Sequence, residues 1–167
     1  MPLVGQAFGP IPRFSARTIV LDTYDRILLM HVIGGEDPNI WVTPGGVVEQ
    51  GEGWEDAARR ELWEETGLEP NEIGSAVWRR THTFIWEGTR YESHERFFMI
   101  RTEPFMPAPG ALEGWEERPV GEHKWWLLDE IETATNQVFV PRTLARHLRD
   151  LLEGRHPDPE HPIDVGI

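Results

Sequence analysis

From Gly45 to Leu68 the chain reads GGVVEQGEGWEDAARRELWEETGL. Trp54, Ala57, Ala58 and Leu62 recur there at helical spacing, and Gly67 stands where a glycine closes a helix. The spacing predicts a helix over Trp54 to Thr66, entered from a tight turn at Gly45 and Gly46. Ala58 and Leu62 give it an apolar stripe that can pack onto a sheet. The same stretch crowds Glu49, Glu52, Glu55, Glu61, Glu64 and Glu65 around Arg59 and Arg60. Either this is a solvated helix face, or something positive belongs there.

Most of the surrounding chain reads as strand. FSARTIVLD and RILLMHVI flank a turn at TYD and predict one hairpin; AVWRRTHTFIW and YESHERFFMIR flank EGTR and predict a second. IWVTPGG is a short extended piece, and HKWWLL a further strand. Between the second hairpin and HKWWLL lies TEPFMPAPGALEGWEERPVGE, a Pro/Gly-rich loop of a length that often carries function. PRTLARHLRDLLEG predicts a last helix with Pro141 in its first turn. The expected organisation is a lead-in over 1–13, one α+β domain over 14–153, and a loosely held Pro-rich tail over 154–167.

The 167 residues, 39% hydrophobic and 27% charged, suit one globular domain. Cysteine is absent, which excludes disulfides and thiolate chemistry. A net charge of -13 argues against DNA or an anionic membrane as partner. It leaves small phosphorylated ligands open, because a bound cation reverses the local sign. The longest apolar runs, such as Ile27 to Val32, are strand-sized, and the first residues lack a signal-peptide pattern. The default expectation is therefore a cytoplasmic protein, monomer or homodimer.

On the predicted helix Glu61 and Glu65 lie one turn apart, with Glu64 beside them. Like charges so placed cost a bare helix a few tenths of a kcal/mol per pair. An oxygen-only cluster suits a hard divalent cation such as Mg²⁺. Zn²⁺ suits it less, given no cysteine and no HExxH spacing. Arg60 can bridge the carboxylates and fix their rotamers, and carbonyls of the glycine turn can join a metal shell.

The stretch fits Gly–x5–Glu–x7–Arg–Glu–U–x–Glu–Glu–x–Gly–U, with U a bulky aliphatic. Gly46, Glu52, Arg60, Glu61, Leu62, Glu64, Glu65, Gly67 and Leu68 fill its nine specified positions. A chance match at one start is rarer than roughly one in a million. The pattern resembles the box of the Nudix hydrolases, and WVTPGG resembles the usual entry to it. That resemblance implies an α/β/α sandwich with a mixed central sheet. It also implies hydrolysis of a nucleoside diphosphate linked to another group, with Mg²⁺ or Mn²⁺. By it Glu61, Glu64 and Glu65 are the expected metal ligands, with Gly46 adding a carbonyl. Arg60 orients them, Glu52 holds the loop, and Gly45 and Gly67 shape the turns. The general base varies in such proteins; Glu116, Glu117 and Glu122 are the loop candidates, with Glu117 taken as the first choice beside Glu61 and Glu64.

The substrate signal is thinner. Relatives that act on ADP-ribose often carry a proline about fifteen residues past the box, where this chain has Thr83. Those that act on dinucleoside polyphosphates often carry a nearby tyrosine, where it has Phe84 and Trp86. The signatures of the coenzyme A and NADH-cleaving groups are absent. The expected cleft uses Arg17, Arg79, Arg80, His82, Arg90 and Arg96 for phosphates, and Trp41, Phe84 and Trp86 for a base. The first expectation is a (d)NTP cleaved to monophosphate and pyrophosphate. The alternatives are an ADP-ribose or nucleotide-sugar pyrophosphatase and, in another class, a non-catalytic nucleotide-sensing module.

Overall fold

A computed structural model of the chain describes residues 9–33, 37–108 and 120–167. Among the described residues, nine strands and three helices follow in the order β1 (Ile11–Asp22), β2 (Ile27–Val32), β3 (Ile40–Val42), β4 (Gly45–Val47), α1 (Trp54–Thr66), β5 (Ala76–Trp86), β6 (Thr89–Thr102), β7 (Val120–Trp126), α2 (Leu128–Thr133), β8 (Val138–Val140), α3 (Leu144–Leu152) and β9 (Ile163–Asp164). They form a mixed sheet in the order β8-β3-β2-β1-β6-β5-β9, with β4 also paired to β1 and β7 to β2. Pairing is parallel for β1–β6, β3–β8 and β5–β9, and antiparallel elsewhere. Among the described residues no helix is long and apolar enough to cross a membrane.

Both faces of β1 are covered, so its burial runs almost unbroken from Ser15 to Asp22. Ile19 and Leu21 face the larger core with Trp78, Phe97 and Trp126, closed by Leu144, Leu148 and Leu151 of α3. Ala16 and Val20 face the other way, under Ala57, Ala58 and Leu62 of α1. The two alanines let α1 sit close on the sheet. The result is the expected α/β/α sandwich.

Helix α1 spans the predicted residues and ends at Gly67, whose φ of 77° and N–H to the Trp63 carbonyl (2.8 Å) make a left-handed cap. The second hairpin turns on two residues, Glu87 and Gly88, both at positive φ, so its strands run longer than EGTR implied.

Several expectations need correction. Strand β1 begins at Ile11, inside the supposed lead-in, because residues 11–13 pair in parallel with Tyr91–Ser93. Helix α2 and strand β8 are additional; α2 is only six residues, too short to show a helical period. The last helix starts at Leu144, with Pro141 in the turn before it. The tail is not loose: Ile163 and Asp164 pair with Trp78 and Arg79, Val165 is buried, and the Thr143 hydroxyl donates to its carbonyl (2.6 Å).

Candidate active site

The site opens where β2 leaves β1. The two strands pair near their turn, at Leu21 and Ile27, and then β4 takes the place of β2 beside Ser15, Ala16 and Arg17. The divergence leaves a cleft of about 680 Å³, within the usual range for a small-molecule site. It is lined from β1, β2, β3, β4, α1, β5 and β6, with Arg17, Gly46, Glu61, Glu65, His82 and Phe84 among the lining residues.

The two box glycines sit between α1 and this cleft. A Cβ on Gly46 would lie 2.5 Å from the Glu61 carboxylate, and one on Gly45 would lie 2.4 Å from the Ala16 carbonyl oxygen. The missing side chain at Gly46 leaves room for the Glu61 carboxylate, and the one at Gly45 lets the turn lie close against β1. Glu61 and Glu65 are each 2% exposed, and the Gly45 N–H donates to Glu65 Oε2 at 2.9 Å. The apolar stripe and the carboxylates are therefore not opposite faces: Glu61 and Glu65 are buried alongside Leu62.

Arg60 organises the group. It donates from Nε and Nη2 to both Glu52 oxygens (2.9 and 3.0 Å), from Nη2 to the Val47 carbonyl (2.9 Å), and from Nη1 to Glu61 Oε1 (2.8 Å) and Glu64 Oε2 (3.4 Å). These bonds, those to Glu52 foremost, raise the guanidinium further above its ordinary range, and the Arg60 hydrogen bond lowers the Glu52 carboxyl. Glu52 thus ties the loop before α1 to the helix.

These residues fit a hard divalent cation. The donors are oxygens, and Glu61, Glu64 and Glu65 lie in the C-terminal half of α1, toward the negative end of the helix dipole, with no basic residue in the last turn. Arg60 donates to Glu61 at 2.8 Å, and the Gly46 backbone lies against the Glu61 carboxylate.

A second charged group lies across the floor of the cleft. Glu95 of β6 is buried and accepts from Arg17 Nε at 2.8 Å and from Arg80 Nη1 at 2.9 Å. Burial alone would raise its carboxyl, but the two guanidiniums outweigh it and hold it down at about 2. Arg17 also donates from Nη1 to the Thr43 carbonyl at 3.1 Å, and Arg80 shares Nη1 with His82 Nδ1 at 2.9 Å. The sequence reading missed Glu95. Alternation along β6 was its available signal, since it places Ser93, Glu95 and Phe97 on one face.

The expected ligand residues separate. Arg17, His82, Phe84 and Trp86 line the cleft. Arg80 is buried and committed to Glu95, which corrects its expected role as a direct phosphate contact. Trp41 belongs to the core: it packs edge-on to Trp126 and donates from Nε1 to Gln137 Oε1 at 2.6 Å. Arg96 lies on the opposite face of β6 with its guanidinium 4.5 Å from the centre of the Trp54 ring, because its strand neighbours Glu95 and Phe97 take the cleft side. Arg79 and Arg90 are exposed on β5 and β6. Glu122 is exposed on β7, while Glu116 and Glu117 lie outside the described residues.

The profile of the NUDIX domain matches residues 12–148. The chain is 28% identical over 158 residues to the NAD-capped RNA hydrolase NudC of Pseudomonas aeruginosa, covering 93% of this chain. It spans about half, 50%, of that curated relative. Among solved structures it resembles a MutT protein from Methanosarcina mazei Go1 (TM-score 0.66, 16% identity, 88% of this chain and 99% of that one). It also resembles the NUDIX domain of Shewanella oneidensis NrtR complexed with ADP ribose (TM-score 0.62, 15% identity, 92% and 94%).

Proposed function

The chain belongs to the NUDIX domain family, and from that premise we propose that it is a metal-dependent hydrolase. Its substrate is a nucleoside diphosphate linked to another group. The observation that carries this reading is the shared cleft: the carboxylates behind Gly45 and Gly46 open into the same space as His82, Phe84 and Trp86.

In this reading Glu61, Glu64 and Glu65, with the Gly46 carbonyl, hold Mg²⁺ or Mn²⁺. The cation, when bound, neutralises phosphate charge and lowers the pKa of an attacking water. Arg60 fixes the Glu61 and Glu64 carboxylates, and the Gly45 N–H fixes Glu65. Arg13 and Arg17, on one face of β1, draw the anionic substrate in, and Phe84 and Trp86 offer flat surfaces to the base. A (d)NTP cleaved to monophosphate and pyrophosphate is the first substrate reading, because Thr83 and Phe84 stand where other groups carry marks. The likeness to a NAD-capped RNA hydrolase favours a second reading, in which a nucleotide replaces the terminal phosphate.

A hydrolysis panel tests both. Nucleoside triphosphates, ADP-ribose, nucleotide sugars and NAD-capped RNA are incubated with Mg²⁺, with Mn²⁺ and with excess EDTA. Turnover of at least one compound is expected with metal and none with chelator. Full turnover in EDTA overturns the metal role, and binding without any turnover makes the chain a nucleotide sensor.

A further inference from the structure

Strand register lays the cleft floor out in rows. Arg13 of β1, Ser93 of β6 and His82 of β5 form one; Ser15, Glu95 and Arg80 form the next, toward the core. Phe84 and Tyr91 form the row on the other side of His82, and the rings of His82 and Phe84 stack at 5.7 Å, 29° from parallel. His82 therefore stands between the buried charges and the aromatic end of the cleft.

The chain of bonds into His82 has one direction. A guanidinium only donates, so the 2.9 Å contact from Arg80 Nη1 makes His82 Nδ1 an acceptor. The ring proton then resides on Nε2. Arg80 is itself fixed, since Nη1 also donates to the buried Glu95 Oε2, whose other oxygen is held by Arg17. We propose that Glu95 and Arg80 are positioning residues that hold His82 in its Nε2–H tautomer, so that the ring donates a hydrogen bond to a sugar hydroxyl of a bound nucleotide. The sugar is the group selected because a nucleotide runs base, sugar, phosphate. With the base on Phe84 and Trp86 and the phosphates at the box carboxylates, the sugar falls beside His82; this placement rests on the function proposed above. Burial and then the Arg80 charge lower the His82 pKa, in keeping with a neutral ring.

Two measurements test the proposal. In ¹⁵N-labelled wild type at pH 7, long-range ¹H–¹⁵N spectra are expected to show His82 neutral with its proton on Nε2; a proton on Nδ1, or a charged ring, overturns it. Separately, Kd is measured by calorimetry for ADP and 2′,3′-dideoxy-ADP with Mg²⁺. Wild type is expected to prefer ADP by about fivefold, the worth of one hydrogen bond. His82→Phe keeps an aromatic ring on Phe84 and is expected to bind the two alike, while His82→Gln, which still carries an N–H donor, keeps a preference. A His82→Phe protein that retains the wild-type preference, or a wild type that shows none or binds no ADP, overturns the sugar contact. The hydrolysis panel reports separately on the reaction, so a chain that binds ADP with this preference but hydrolyses nothing would sink only the catalytic reading.

Discussion

Glu95 is one side chain on which two cationic ones depend. Arg17 and Arg80 flank it from the neighbouring strands, and its carboxyl is 2% exposed. Removing its charge leaves Arg80 buried without a counter-ion, so Glu95→Gln is expected to cost about 3–5 kcal/mol of stability, read by denaturant unfolding at pH 7. The acid limb gives an independent sign. A folded pKa of about 2, below the ordinary 4.5, means the contribution is full above pH 4.5 and is lost as pH falls through 2. That loss amounts to about 3 kcal/mol. Wild type should lose stability over this window and Glu95→Gln should lose less; parallel profiles would show that the carboxylate is not held by its arginines.

At the scale of elements, the loop from β4 and helix α1 act as one unit, joined by Arg60 and separated from the cleft by two glycines. The two joints should fail differently. Gly46→Ala puts a methyl group against the Glu61 carboxylate, the far end of a flexible side chain, which must shift on its contact with Arg60. It is expected to lower kcat by about tenfold or more through a displaced metal ligand, with little change in Tm. Glu52→Gln weakens the bidentate clamp on Arg60 and is expected to cost about 1–2 kcal/mol as well as rate. Rates in Mg²⁺ and thermal unfolding in EDTA, measured on both variants, separate the cases. A Gly46→Ala protein with wild-type kcat would show that the carboxylate behind the glycine takes no part in turnover.

Across the whole molecule, a net charge of -13 and a buried acidic cluster both favour cation binding. Mg²⁺ is therefore expected to raise Tm relative to EDTA, the underlying stabilisation growing with concentration to about 2.7 kcal/mol at a hundred times Kd. Glu61→Gln should abolish most of that rise, whereas a rise of equal size in the variant would assign it to diffuse surface charge. The C-terminal segment contributes at the same scale. Val165 is buried against the core and its N–H donates to the Arg79 carbonyl at 3.0 Å, which holds the end of the chain on the sheet edge behind the cleft strand β5.

Local order was legible in the residues themselves. The bounds of α1, its cap at Gly67, both hairpins and the box glutamates follow from periodicity, turn chemistry and spacing, because helix and turn preferences act over a few neighbouring residues. What lies beyond that range was decided by packing. Trp41 and Phe84 are both aromatic and both on strands, yet one is core and the other lines the cleft; the difference is which face α2 and α3 cover. Arg80 and Arg96 likewise read alike until the register of β5, β6 and β1 puts Arg80 beside Glu95 and turns Arg96 toward Trp54. The parallel pairing of β1 with β6 joins residues some eighty positions apart. No local pattern encodes that partner, because it is chosen by the burial of both sheet faces at once. The sequence by itself therefore determined the carboxylate cluster proposed to hold the metal, carried on one continuous stretch of chain, while the tertiary structure alone decided which other side chains share its cleft.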